Sequence, residues 1–114
     1  TVSGVIVDRL GGDIRRAIQN TRSSAYTLVE TDTGKHVYIS SGGVTVPNGV
    51  FAAGAMVTIV NNSGSDQTIT QGSSMTMYNT SDASTGNRTL AGRGVCTILF
   101  VSGSQSYISG GGLS

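Results

Sequence analysis

Few side chains in this sequence could take part in acid–base, nucleophilic or metal chemistry. It contains one histidine, His36, one cysteine, Cys96, and six scattered acidic residues. Serines are abundant and Asp32 is close to His36 in sequence, but no Gly-x-Ser-x-Gly elbow occurs in a strand–turn–helix setting. The acids lack the pairing of a glycosidase and the spacing of a calcium loop, and Cys and His lack zinc spacing. The sequence therefore predicts a non-enzymatic protein with no catalytic residue, cofactor or metal.

Three local patterns have both a chemical and a structural interpretation. Thr33-Gly34-Lys35 resembles the end of a phosphate-binding loop, but the upstream glycine and the following helix are missing, which favours a turn. His36 could bind a metal together with its symmetry mates on a threefold axis, although a half-buried strand histidine is the simpler interpretation. Cys96 lies in the apolar run 95–101, which favours a buried thiol. A single cysteine also excludes an internal disulfide, consistent with folding in a reducing cytoplasm.

The charge content argues against nucleic-acid and membrane partners. Charged residues make up 11% of the chain, with a net charge of +1. Nucleic-acid binding normally requires clustered basic residues, whereas Lys35 is the single lysine and Arg15-Arg16 the only adjacent basic pair. No apolar run reaches the roughly 18 residues of a membrane span, and the start lacks a signal-peptide pattern.

The composition provides limited material for a core. Hydrophobic residues amount to 37%, tryptophan is absent, and 17 glycines raise the entropy of the unfolded chain. Small aliphatic side chains must therefore do most of the packing. We expect some of the apolar surface to be buried between subunits of an assembly.

Residues 1–22 differ from the rest and are predicted to form an N-terminal arm. A β-prone stretch runs from Val2 to Val7 and breaks at Gly11-Gly12. Asp13 can cap a short helix in which Ile14, Ala17 and Ile18 share one face. The arm could pack on its own domain or dock on a neighbour. In the second case the residues predicted to contact the capsid or another partner are Val5, Val7, Ile14, Arg15, Arg16 and Ile18.

Residues 23–114 are predicted to form a single compact β-sandwich or barrel of about eight short antiparallel strands. Turn residues such as Asn48-Gly49 and the stretch Thr80 to Asn87 separate the apolar segments. The predicted strands are Tyr26–Glu30, His36–Ser40, Val44–Val46, Ala55–Val60, Gln67–Gln71, Met75–Tyr78, Val95–Val101 and Tyr107–Ser109.

Two of these strands are apolar at nearly every position, which is typical of central or interface strands. Their residues Val57, Ile59, Ile98 and Phe100 are predicted to lie in the core or in a trimer contact. Exposed tyrosine and asparagine suit recognition of protein or carbohydrate. The predicted surface recognition residues are Tyr78, Asn62 and Asn87, with strand-edge packing as the alternative for the tyrosine.

An ordered set of segments resembles one known module. The segments run from Ser24 to His36, Gly42 to Pro47, Asn61 to Gly72, Thr85 to Ala91 and Ile108 to Leu113. Together, over about residues 23–114, they look like a β-module found at the C-terminal ends of tailed-bacteriophage structural proteins, including tail fibres and cyanophage virion proteins.

The resemblance implies a virion protein, synthesised in the host cytoplasm and homotrimeric. Since only a short arm precedes the module, we expect a capsid decoration (cement) protein that contacts copies of itself and the major capsid protein or other virion proteins. The alternative is a tail-fibre or head-fibre tip that binds a host-surface receptor such as a glycan.

Overall fold

The computed structural model describes residues 17–114, and the regular structure in this part of the chain is β-strand apart from one 3-10 turn at Glu30–Asp32. The predicted all-β class is therefore confirmed. β-Branched residues alternate with polar ones, and glycine or asparagine turns keep the strands short. The strands are β1 (Gln19–Arg22), β2 (Tyr26–Thr27), β3 (His36–Ile39), β4 (Val44–Val46), β5 (Met56–Asn61), β6 (Gln67–Gln71), β7 (Thr76–Asn79), β8 (Arg88–Phe100) and β9 (Gln105–Leu113).

The first six strands form two parallel stacks. β1, β3 and β5 lie side by side in one stack, and β2, β4 and β6 in the other. Successive strands lie alternately in the two stacks. Each pair of consecutive strands therefore adds one strand to each stack. Parallel neighbours need a long crossover, and here the strand in the opposite stack provides it. The register aligns Gln19, His36 and Thr58 in the first stack and Tyr26, Val44 and Ile69 in the second.

The long strand β8 joins the two stacks. Residues 95–99 pair antiparallel with β5, and residues 88–90 pair antiparallel with β6. Between them the register shifts, and Arg93 has a φ of 63°; an irregularity of this kind bends a strand. β9 pairs antiparallel with β8 and parallel with β7. The nine strands thus form one nearly closed, barrel-like sheet.

The side chains that point between the stacks form one apolar core. Its two phenylalanines, Phe51 and Phe100, stack with ring centroids 4.2 Å apart. Small aliphatics supply most of the rest, as the composition predicts. The core consists of Leu28, Val37, Ile39, Val44, Val46, Phe51, Ala55, Val57, Ile59, Ile69, Met75, Met77, Leu90, Cys96, Ile98, Phe100 and Ile108.

The buried carboxylate of Asp32 connects the first two strands through hydrogen bonds. Asp32 is 1% exposed and is the last residue of the 3-10 turn between β2 and β3. It accepts hydrogen bonds from the hydroxyl of Tyr26 at 2.7 Å, Nδ2 of Asn20 at 2.8 Å and the backbone N–H of Val29 at 2.9 Å. Arg22 lies over the Tyr26 ring, 4.3 Å from its centroid. These bonds tie β1 to β2 across the interior.

The prediction of antiparallel strands is wrong for most of the sheet, because five of the eight pairings are parallel. Short strands separated by glycine turns look alike whether the chain folds back on the preceding strand or crosses to an opposite layer. Five predicted strands, those of β3 to β7, agree with the structure to within one residue at each end. The predicted Tyr26–Glu30 ends at Thr27, and β9 extends beyond the predicted Tyr107–Ser109 at both ends. Two regions were missed: β1, and the first half of β8 from Arg88 to Gly94.

The predicted arm is only partly described. Val5, Val7, Ile14, Arg15 and Arg16 lie outside the described residues, as does most of the predicted helix. Ala17 and Ile18 have no regular secondary structure, and the carbonyl of Ile18 accepts a 3.0 Å hydrogen bond from the backbone of His36. Since β1 pairs with β3, residues 19–22 belong to the same sheet as the module.

Candidate assembly and recognition surfaces

An apolar patch lies on the outer face of the two central strands β5 and β8. Met56 stands directly opposite Leu99, and Val60 directly opposite Val95. Directly paired residues point to the same side of a sheet, so the four side chains share one surface. Met56 is 49% exposed, Val95 44% and Leu99 38%, while Val60 is half-buried. We call these four residues the β5–β8 patch.

The residues that share the face of this patch on β5, β7, β8 and β9 are uncharged, and on the other side His36 of β3 is paired with Thr58. Between its two residue pairs lie Thr58 and Thr97, whose hydroxyl oxygens are 3.3 Å apart. Alternate residues of the same strands point into the core, as Val57 and Ile98 do. On β5, residues 95–101, β9 and β7, the outward positions are Met56, Thr58, Val60, Val95, Thr97, Leu99, Val101, Gln105, Tyr107, Ser109, Thr76 and Tyr78. None of these side chains carries a charge.

Two tyrosines continue the row beyond Leu99. Leu99 is paired with Tyr107 on β9, and Tyr107 with Tyr78 on β7. The two rings stack with centroids 5.2 Å apart and planes 24° apart. Tyr107 is 42% exposed. An aromatic pair thus lies two and three strands away from β5 in the order β5–β8–β9–β7.

An open hollow of about 560 Å³ adjoins this pair. It is lined by Tyr78, Asn79, Thr80, Ala83 and Tyr107. Its volume is within the roughly 300–1,000 Å³ that small-ligand sites occupy. The hollow therefore combines an aromatic wall with a loop of short side chains.

Hydrogen bonds organise the loop that borders the hollow. Asp82 accepts at one carboxylate oxygen from the Ser84 hydroxyl (2.7 Å), the Ser84 backbone N–H (2.9 Å) and Nδ2 of Asn79 (3.2 Å). The bonds from Ser84 are the main reason why the pKa of Asp82 is lowered. Ala83 donates its backbone N–H to the carbonyl of Asn79 at 2.8 Å and has a φ of 64°. The loop is thus held in a defined shape.

The structure separates the three predicted recognition residues. Tyr78 lines the hollow. Asn62 accepts a 3.0 Å hydrogen bond from the Arg93 guanidinium, and Asn87 accepts one of 2.9 Å from the backbone N–H of Gln71. The oxygens of both asparagines thus bond within the protomer.

The four residues predicted for the core or a trimer contact lie inside the protomer. Val57, Ile59, Ile98 and Phe100 are each 0% exposed, so their side chains do not reach another subunit. Sequence reasoning missed their neighbours Met56, Val95 and Leu99. The signal was present, since a strand that is apolar on both faces has a second face to bury.

The residues with chemical potential are dispersed. His36 is partly buried on β3, and its Nε2 lies 3.2 Å from Oε1 of Gln19. Cys96 is 1% exposed, and burial raises the pKa of its thiol to about 12. Within residues 17–114 no three His, Cys, Asp or Glu side chains form a group that could hold a metal ion. In the same range every buried side-chain nitrogen and oxygen has a hydrogen-bond partner.

Comparison with known proteins gives no family. No protein-family model matches the chain, and no curated protein matches it significantly. The described part of the chain contains no helix with the length and apolarity needed to cross a membrane.

Proposed function

We propose that this chain is a structural protein of a bacteriophage particle that assembles as a homotrimer and decorates the capsid. The observation that supports assembly best is the β5–β8 patch, which leaves three large apolar side chains 38–49% exposed on the outer face of the sheet. Grouped exposed apolar residues typically mark protein interfaces, and here two apolar pairs lie on either side of the Thr58–Thr97 pair. The virion context and the trimer come from the sequence resemblance.

Burial of the patch supplies a driving force of useful size. Complete burial of a Val, Leu or Met side chain is worth about 1.5–3 kcal/mol. Since Met56, Val95 and Leu99 are roughly half exposed, each would gain roughly 1 kcal/mol per protomer on association. Closed symmetry repeats this contact in every subunit. Many modest contacts repeated over a capsid would then resist the separation of its subunits through avidity.

Attachment to the capsid is assigned to the N-terminal arm. Its predicted contact residues Val5, Val7, Ile14, Arg15 and Arg16 would meet the major capsid protein. Ile18 and β1 are hydrogen-bonded to β3, so the arm joins the domain at the first strand of the β1–β3–β5 stack. A neighbour held by the arm is thereby coupled to the sheet that carries the β5–β8 patch.

The position on the particle can be tested by immunogold labelling of the phage that encodes the chain. We expect gold on the heads. Label on the tail would overturn the decoration function in favour of a fibre tip. Absence of label from intact and disrupted particles would contradict a virion protein altogether.

The role of the arm can be tested by removing residues 1–16, which leaves β1 in place. Removal of residues 1–22 would also delete the bond from Asn20 to Asp32 and so confuse attachment with folding. We expect the shortened chain to keep its β-sheet circular dichroism and to bind undecorated capsids more weakly than the whole chain. Equal binding of the two proteins would contradict the assigned role of the arm.

A further inference from the structure

We propose that the hollow beside Tyr78 and Tyr107 binds a neutral hexopyranose unit of a glycan. This inference goes beyond capsid decoration and does not depend on trimer assembly or on the location of the protein on the particle. It rests on the aromatic wall, the polar loop and the charge of the hollow.

The tyrosine pair forms a preorganised platform. Stacking at 5.2 Å between centroids fixes the two rings relative to each other, and the register between β7 and β9 places them side by side. An aromatic face carries negative electrostatic potential. It attracts the C–H groups on the apolar face of a pyranose, which carry partial positive charge. Because the rings are already ordered, binding costs little side-chain entropy.

The loop supplies short polar groups at the border of the platform. Thr80 is exposed and brings a hydroxyl group that can both donate and accept. Asp82 uses one carboxylate oxygen for its three bonds within the loop, which leaves the second oxygen available to accept from sugar hydroxyls. A few convergent polar groups beside an apolar wall are the usual composition of a small-ligand site.

The charge of the site favours a neutral ligand over an acidic one. The five lining residues are uncharged, and Asp82 adds a negative charge at the border. The nearby Arg88 guanidinium donates to the Ser84 hydroxyl at 3.0 Å and to the Asn87 carbonyl at 2.8 Å. Two of its N–H donors are thus used within the protein, and Arg88 does not line the hollow, whereas an acidic sugar would require a cation directed to the ligand.

The test is an NMR titration of the whole ¹⁵N-labelled chain. The probes are the methyl glycosides of glucose, galactose, mannose and N-acetylglucosamine, with N-acetylneuraminic acid as the charged comparison. We expect saturable shifts for at least one neutral glycoside, with a millimolar dissociation constant, centred on residues 78–83 and 107. The acidic sugar should bind at least tenfold more weakly.

Three variants connect the shifts to the platform. Tyr107→Ala should weaken binding at least tenfold, whereas Tyr107→Phe keeps the ring and should bind within threefold of the wild type. Tyr38→Ala, a tyrosine replacement on β3 outside the hollow, should leave binding unchanged. The proposal is overturned if no neutral glycoside produces saturable shifts, if the shifts centre elsewhere, or if Tyr107→Ala binds like the unaltered chain.

Discussion

At the scale of single residues, Asp32 shows how a buried charge can be accommodated in this fold. Its carboxylate receives three hydrogen bonds, one each from β1, β2 and the segment before the 3-10 turn. A buried carboxylate is tolerated when its acceptor sites are filled in this way. Asp32 and its three hydrogen-bond donors, here called the Asp32 cluster, thus hold the first strands together through polar contacts.

Removal of this carboxylate should destabilise the protein. Asp32→Ala leaves the Tyr26 hydroxyl and the Val29 N–H without their acceptor, and we expect the free energy of unfolding to fall by about 1–3 kcal/mol. Urea denaturation measures this change. Asp66→Ala, at an exposed position, is the control and should change stability by less than about 0.5 kcal/mol. Similar losses in both variants would show that the cluster is not a stabilising feature.

Tyr26 should make the protein sensitive to alkaline pH. Burial first, and then the hydrogen bond to Asp32, raise the pKa of Tyr26 above its ordinary value of 10.0. The folded state thus favours the protonated phenol. The resulting stabilisation is complete below pH 10.0 and is lost as the pH rises through the folded-state pKa.

The comparison that isolates this effect is the difference in unfolding free energy between the wild type and Tyr26→Phe. We expect the wild-type advantage to be constant up to about pH 10 and to shrink above it. Tyr38→Phe serves as the control for other alkaline transitions. An advantage of Tyr26 that grows above that pH would contradict the assigned direction of the shift.

At the scale of elements, the contact between β8 and β9 depends on a glycine. A side chain at Gly110 would place its Cβ 2.2 Å from the carbonyl oxygen of Val95 and 2.5 Å from Cα of Cys96. The neighbouring Gly111 has open space around the corresponding position. The close approach lets β9 pair with β8, one of the two strands that carry the β5–β8 patch.

Adjacent alanine substitutions should therefore differ sharply. Gly110→Ala forces β9 away from β8, and we expect a loss of at least about 1–3 kcal/mol, as for other overpacked sites. Gly111→Ala should change stability by less than about 1 kcal/mol. Thermal unfolding followed by circular dichroism distinguishes the two, and equal melting temperatures would contradict the close packing.

The strands were predictable from the sequence, but their partners were not. Val44–Val46 and Gln67–Gln71 were predicted with the bounds that the structure has, because alternation and turn residues are local signals. Pairing depends on residues far apart in the sequence. The local pattern therefore does not show that β4 pairs in parallel with β6. The polar strand β1 was missed because Asn20 has low strand propensity, and Asn20 and Arg22 are held by side-chain contacts.

At the scale of the whole molecule, the protein has two apolar surfaces, one buried inside the protomer and one exposed on the central strands. The core residues, among them Ile59, Ile98 and Phe100, are fully covered within one protomer. The thin composition therefore does not leave the core incomplete. What remains exposed is the second face of the same central strands, with Met56, Val95 and Leu99.

The candidate surfaces were only partly predictable from the sequence. Apolar residues at successive positions indicated that both faces of β5 and β8 have a role, and Tyr78 was recognised as a surface candidate. Which residues face outward depends on the phase of each strand, and the hollow depends on β7 pairing with β9. Neither is encoded in local sequence.

The most direct test of the account is sedimentation equilibrium of the whole chain at micromolar concentration, compared with the variant that combines Val95→Lys and Leu99→Lys. We expect a trimer for the wild type and a folded monomer for the double variant, since an interface would desolvate the unpaired charges. Thr68→Lys places a charge on the exposed side of β6 and should remain trimeric. A wild-type chain that stays monomeric throughout, or a double variant that still forms trimers, would contradict assembly through the β5–β8 patch.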